Sequence, residues 1–324
     1  MLSYAAHSTL RNAAEAGSHP MESSSINEQF TYLTLALFGF YIVYEGLRGR
    51  YRGGRKTGKD WQLFGISLAW LQFVERPMLV VCSYFTYRLL FPQLEGNYGW
   101  LQDVSVVSLI GLVLGFVLID EFLHGAIHSF AHARRPANKV LAGIQRWYKG
   151  AHRLHHLNGG PDGKGQIGAT QTIVVSWGWP FSLPNYWFGT FCLYLGLWEV
   201  WIWGTSLKSL WGIHNHSNLT YDMTLLKHPN PWISKTMYAL CHVLVFPNQH
   251  HHHHSRSNNS GRNMQNFIAL YDWLLWKKLV ISTERPATYG WRKTEAEEGS
   301  ALYRFVHRPF MDKFLPGGML NGRR

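Results

Sequence analysis

The chain has 324 residues and a formal net charge of +12; 46% of its residues are hydrophobic, 15% aromatic and only 15% charged. Soluble domains average about 25% charged residues, so an ordinary soluble globule is disfavoured, and 31 Gly with 13 Pro in no fixed period exclude a collagen-like chain. The mean hydropathy of −0.14 is too low for a chain lying wholly in a membrane and suits a few spans joined to a large polar part.

The excess of 31 basic over 19 acidic residues reads as the basic cytoplasmic face of a membrane protein. No nucleic-acid-binding module accompanies it, and no nucleic-acid partner is expected. Cys82, Cys192 and Cys241 stand far apart with no C-x-x-C pair, which excludes a disulfide framework and a cysteine-based metal site.

In chain order, residues 1–29 read as a polar leader. Residues 30–47 form an apolar run of 18, long enough for a hydrocarbon layer of about 30 Å at 1.5 Å per residue. Arg48, Arg50, Arg52, Arg55, Lys56 and Lys59 follow with no acid among them, a loop that should stay cytoplasmic. Residues 61–91 read as a span kinked at Glu75-Arg76-Pro77, and 92–99 as an external turn carrying Glu95. Residues 100–119 return inward. Residues 172–204, containing Pro180 and Pro184, read as a hairpin whose second arm, 186–203, is the better span.

The expected fold is therefore an all-α integral membrane protein. It has four or five transmembrane helices, its N-terminus outside, its C-terminus inside and a cytoplasmic histidine-rich helical catalytic cap. The cation-rich segments 134–164 and 256–293 fall on the cytoplasmic side. The expected divisions are the leader 1–29, N-terminal helices and basic loop 30–99, a catalytic domain 100–280 and a basic tail 281–324.

Histidine is over-represented: 18 residues, 15 of them between His124 and His254. His124, His128 and His132 recur at i, i+4 and i+8, one face of a helix. His152-Arg-Leu-His155-His156 is an H-x-x-H-H box. His214 and His216 follow, and His250, His253 and His254 form a second box inside a run of five. Seventy residues follow that run, which argues against an engineered tag. His251 and His252 fill the box's variable positions and are expected to tolerate change, as are the isolated His7, His19 and His307.

Neutral imidazole is the commonest side-chain metal ligand. At i, i+3 or i+4, histidines converge on one ion, and an adjacent histidine can turn toward another. Two boxes and an H-x-x-x-H pair offer eight nitrogens, too many for one ion and enough for two. Zinc catalysis needs about three ligands, and the H-E-x-x-H signature is absent. An imidazole-rich pair beside a bilayer suits iron and oxygen activation. The ferritin-like pattern needs two Glu-x-x-His motifs; Glu121-Phe-Leu-His124 is the single copy.

Over roughly residues 100–280 these motifs resemble the fatty acid hydroxylase / sterol desaturase superfamily of integral-membrane di-iron enzymes. Its Pro-x-x-His-x-x-His-His-Ser is matched by Pro247, His250, His253, His254 and Ser255, followed by Asn266-Phe267 and Asp272-Trp273-Leu274. His216-Ser217-Asn218 is similar to its His-x-Asn, and the second box matches fully. The first box departs from the pattern. Taking Glu121 as the family's acidic residue selects His128 and His132, but Ser129 stands where Arg is usual, and His124 with His128 is the alternative pairing.

The resemblance implies metal ligands at His128, His132, His152, His155, His156, His216, His250, His253 and His254, with His124 and His214 as alternates. It implies supporting roles for Glu121, Asn218, Asn266 and Asp272. It further implies two iron ions (zinc in some purified preparations), dioxygen as co-substrate, and hydroxylation or desaturation of a lipid-like substrate taken from the bilayer. The chain has no flavin, dinucleotide or haem motif, so electrons come from a separate ferredoxin, rubredoxin or b-type cytochrome. Carotenoid hydroxylation and aldehyde decarbonylation stay open within that class. A histidine-rich membrane metal transporter or metal store is the alternative outside it; transporters, however, hold ligands near the bilayer midplane, whereas most of these clusters lie outside the apolar runs.

Overall fold

The computed structural model describes residues 20–48, 58–102, 105–156, 167–174 and 178–290. The described residues are mostly helical and form no strand, only the isolated bridges Leu244–Ile268 and Ser255–Tyr289. The chain divides into two units, residues 1–40 and 41–324. Helix α1 (Pro20–Leu47) opens in the first and closes in the second, so the last ten residues of the expected polar leader are already helical. The remainder of that leader, the basic loop at 49–57, residues 157–166, the tail from 291 and the isolated His7, His19 and His307 lie outside the described residues.

Among the described residues two helical stretches are long and apolar enough to cross a membrane, Phe64–Leu90 and Val106–His132, each of 27 residues. At 1.5 Å per residue each reaches about 40 Å. The first joins α2 (Gly58–Trp70) to α3 (Arg76–Leu90) through a π-helical turn, Leu71–Glu75. Pro77 has no N–H to give, and the Arg76 amide bonds five residues back, to the Leu71 carbonyl. A π-turn thus stands beside the position where the sequence suggests a kink, and its Glu75 carboxylate accepts from the Gly178 amide at 2.6 Å.

Helix α4 (Val106–His132) starts six residues later than the apolar run suggests. Ser105 caps it, its hydroxyl accepting from the Ser108 amide at 3.3 Å. It also runs on without a break through all three histidines of the first cluster, so the apolar stretch and the histidine row are one element. Beyond it, α5 (Lys139–His156) returns across its end: the Gln145 side-chain amide donates to the carbonyls of Phe130 and Ala133 at 2.9 and 3.0 Å. Carbonyls at a helix end lie outside the regular hydrogen-bond ladder, and Gln145, together with the Ala133 amide on the Phe130 carbonyl at 3.2 Å and Lys149 on the Ala133 carbonyl at 3.1 Å, fixes the terminus that carries His132.

The expected span 186–203 is not one helix. After α6 (Trp179–Ser182), α7 (Pro184–Tyr194) and α8 (Trp198–His216) meet at a turn where Gly196 has φ 91°. A side chain there would press on Gly99 Cα and the Gly96 carbonyl, each 3.1 Å from its Cβ. The turn is also tied to the loop after α3, since Gly96 N donates to Tyr194 O and Tyr98 N to Leu195 O, both at 3.0 Å.

Helices α4, α7 and α8 share a core of Phe116, Val117, Cys192 and Val200, closed by Phe267 and Ile268. Phe116 stacks on Phe188 at 5.3 Å and lies against Gly204, where α8 comes close because that residue has no Cβ. Helix α3 joins through Tyr87, whose hydroxyl donates to the Trp187 carbonyl at 2.8 Å. The C-terminal part adds α9 (Tyr221–Leu226), α10 (Pro231–Val243), α11 (Pro247–His253) and α12 (Leu270–Leu274).

Candidate metal centre

Four helices send histidines to one place. Group one comprises His128 and His132 from α4, His152 and His156 from α5, and His253 from α11. Group two comprises His155 from α5, His216 from the end of α8, and His250 and His254 from α11 and the residue after it. Within each group the ligand-capable atoms all lie within 4.8 Å of one another. Helical spacing makes the division: on α5 positions i and i+4 face group one and i+3 faces group two, and on α11 the same pattern is reversed. The neighbours His155–His156 and His253–His254 therefore part toward different groups, and the His156 and His254 rings stack at 4.3 Å between them.

Local sequence sets these helices. Pro247 occupies the first turn of α11, where its missing N–H costs nothing. The Phe246 amide donates to the Gln249 side chain at 2.8 Å and the Asn248 amide to Asp222 at 2.7 Å, which satisfies donors the short helix leaves open. Trp179 lies flat against the His152 ring at 4.7 Å and covers that side of group one.

The nitrogens carry the chemistry. His155 Nδ1 faces the Val174 carbonyl at 3.2 Å and His216 Nδ1 the Gly212 carbonyl at 2.7 Å, so both Nδ1 atoms hold a proton. Their Nε2 atoms then present bare lone pairs, and these stand 3.0 Å apart. Protonating one would relieve the clash, but burial holds the His155 imidazolium pKa down to about 4 and that of His216 well below the ordinary value. A shared cation is the other remedy. Similar contacts join His128 to His152 and His152 to His156 at 2.8 Å, His216 to His250 at 3.0 Å, and His250 to His254 at 3.1 Å. Ligands bonded to one ion at about 2.0–2.1 Å and set at right angles lie about 2.9 Å apart, which is the spacing found.

Outer hydrogen bonds aim the rings, as metal-bound imidazoles usually require. His128 Nδ1 donates to the Met264 carbonyl at 2.6 Å and His253 Nδ1 to the Arg262 carbonyl at 3.2 Å. His253 Nε2, buried and turned inward, has no hydrogen-bond partner. The residues present fit two metal ions.

All nine histidines expected as ligands fall in the two groups. Of the alternates, His124 touches the His128 ring at 5.2 Å but belongs to neither group. His214 is held elsewhere, Nδ1 to the Tyr41 hydroxyl at 2.8 Å and Nε2 to the Tyr221 hydroxyl at 2.7 Å.

The supporting residues act through backbone. Glu121 Oε2 accepts from the amides of Asn266, Phe267 and Ile268 at 3.1, 2.8 and 3.2 Å, and Oε1 pairs with Lys208 at 2.9 Å. Lys208 also pairs with Asp120. Asp272 accepts from the Gln265 amide at 3.0 Å, and the Asn266 side chain donates to the Lys208 carbonyl at 3.3 Å. Together they fix the 264–268 loop, whose Met264 carbonyl orients His128. Asn218 enters through its amide, which donates to Glu45 at 3.0 Å.

His251 and His252 are not the tolerant positions their place in the box suggested. His251 is fully buried, Nδ1 against the Tyr289 hydroxyl at 3.1 Å and Nε2 against the Ser217 carbonyl at 3.0 Å. His252 bonds the Glu284 carbonyl at 2.9 Å. Every face of α11 is covered, so its non-ligand histidines carry fixed polar contacts. Glu45 was also missed: fully buried, it accepts from the Ala169 and Asn218 amides at 3.0 Å, and its one signal was a lone carboxylate ending an apolar run. The chain matches no family model, and it has no significant match among curated proteins or solved structures.

Proposed function

We propose that the chain is an integral-membrane di-iron oxygenase that hydroxylates or desaturates a C–H bond of a lipid-like substrate, using dioxygen and electrons from a separate carrier. The observation that carries this reading is the pairing of the two histidine groups at the end of α4, an apolar helix of spanning length. In this reading α1, α2–α3, α4 and the α7–α8 hairpin cross the bilayer and the histidine helices form the cytoplasmic cap. The chemistry iron supplies at such a centre is activation of dioxygen for C–H oxidation.

The protein's own part is ligation, aim and exclusion of water. Nine neutral imidazoles would hold the metals, and the carbonyls of Met264, Val174, Gly212 and Arg262 fix the tautomers of His128, His155, His216 and His253. Trp179 shields one flank of the first group. Burial of both groups keeps bulk water from them, and the end of α4 lies where an apolar chain can reach them from lipid. The cationic surface suits an acidic electron carrier.

The test is metal content with turnover. Protein purified in lipid nanodiscs should hold about two iron ions per chain, from the ligand count that one ion cannot use. Given a reductant and dioxygen, it should add oxygen to, or remove hydrogen from, lipids of its host. One ion or none in active protein would sink the di-iron reading. Two ions with no oxygen-dependent change in lipid would favour a metal store, and metal flux into vesicles would favour a transporter.

A further inference from the structure

We infer that α10 and α12 form a membrane-inserted face, seated in the same bilayer leaflet as the metal-bearing end of α4 and facing lipid. The inference rests on the reading that α4 spans a bilayer. A hydrocarbon layer of about 30 Å takes up about 20 residues of helix; counted from Val106 it extends to about residue 125, and any tilt extends it further. Leu118 and Phe122 therefore lie inside the layer.

Segment 270–276 is fastened to α4 at that depth. The Tyr271 hydroxyl donates to the Leu118 carbonyl at 2.9 Å, and the Phe122 ring packs on Tyr271 at 5.7 Å and Trp276 at 6.2 Å. Helix α10 is fastened in turn to α12, through His242 against Trp273 at 4.7 Å and the Ala269 amide bonded to the Val243 carbonyl at 2.9 Å.

Their outer surface has the composition such a position demands. One stripe of α10, Met237 and Cys241, is buried against Phe246. The rest of its surface is largely apolar and open, with Trp232 79% exposed opposite that stripe and Tyr238 53% and Leu240 42% exposed on its two flanks. A helix at a water interface should be polar on that side. On α12 and just after it, Leu274 and Leu275 are 50% and 56% exposed. This surface continues the open apolar side of α4, where Leu114 and Ile119 are 51% and 48% exposed.

Charge fits the same occupant. Lys227 before α10, Lys235 on it and Lys277 after α12 are exposed, while the one carboxylate between residues 223 and 283, Asp272, is buried. A largely apolar surface whose exposed charges are all cations, Lys235 reaching out from among its apolar residues, suits acyl chains beneath anionic headgroups. The face would also bring lipid beside the 264–268 loop, which carries the carbonyl that orients His128.

Leu240→Cys and Leu274→Cys, each the one introduced thiol in a Cys82→Ser background where Cys192 and Cys241 are buried, would be spin-labelled in nanodiscs of phosphatidylcholine and phosphatidylglycerol. Leu114→Cys on α4 and Arg134→Cys beyond its end serve as references. Collision with oxygen relative to a water-soluble nickel chelate should rise several-fold above the Arg134 value at Leu240 and Leu274, matching Leu114. Water-like values at both, with Leu114 lipid-like, would overturn the proposal and leave the membrane reading intact. Water-like values at Leu114 as well would overturn both. Labels closed to both reagents and broadened by a neighbouring label would assign the face to a second copy of the chain and overturn the lipid assignment.

Discussion

At the residue scale, how far along its helix a histidine stands decides whether it reaches the two groups. His132 stands in the first group and His124, two turns earlier on the same face, stands in neither. His132→Ala should therefore lower bound metal in purified protein, whereas His124→Ala should retain the full complement and lose only part of the rate. Elemental analysis of the two variants checks this, and the reverse result would move the centre toward the membrane. His251→Ala removes two buried hydrogen bonds and strands the Ser217 carbonyl. A cost of about 2–4 kcal/mol is expected, read as a lowered thermal midpoint with metal retained in the folded fraction. Unchanged stability would show that these bonds contribute nothing. Eight of the proposed ligands were legible because i, i+3 and i+4 spacing survives in any helix, and His216 through the His-x-Asn resemblance. The contacts of His251 and His252 were not, because Tyr289 and Glu284 lie more than thirty residues away and carry no motif.

At the element scale, the loop at 264–268 joins the apolar bundle to the metal groups. Glu121 holds it by three amides while facing Lys208, so truncation leaves a buried cation and three donors with less than they need. Glu121→Ala should cost about 3–5 kcal/mol, as for a buried pair broken from one side, and Glu121→Gln should recover part of the stability because an amide oxygen still accepts. Denaturation of the two variants in the same lipid checks the order. Gly204→Ala places a methyl group into the Phe116 ring and should cost about 1–3 kcal/mol by overpacking, with no change in metal content. The acid at 121 was visible in the sequence, but what it touches depends on where a distant loop returns. The break between α7 and α8 was hidden for a different reason: Leu195 and Leu197 continue the apolar run on either side of Gly196. A turn packed against the 92–99 loop needs no polar residues, and composition cannot mark it.

At the scale of the whole molecule, the same burial that readies the imidazoles for metal ties the fold to pH. His152, His156, His216, His250, His253 and His254 are all held well below the ordinary histidine pKa, first by desolvation and then mostly by one another, and His155 is held at about 4. In the unfolded chain these groups titrate near 6.5. Above that value both states are neutral and the folded state keeps its full stability. As pH falls through 6.5 toward 4, the unfolded chain takes up protons that the folded chain refuses, so stability is lost on acidification. For His155 alone the loss by pH 4 is about 3 kcal/mol, and several such groups titrating together make the transition steep. Metal-free protein should therefore unfold cooperatively between pH 6.5 and 4, and metal-loaded protein should resist to lower pH, because each bound ion must be displaced by protons before its ligands can charge. Circular dichroism of the two forms across that window, in the same lipid, is the measurement. A metal-free fold that persists unchanged to pH 4 would mean that the imidazoles are hydrated, and the opposed lone pairs of His155 and His216 would then need no cation between them.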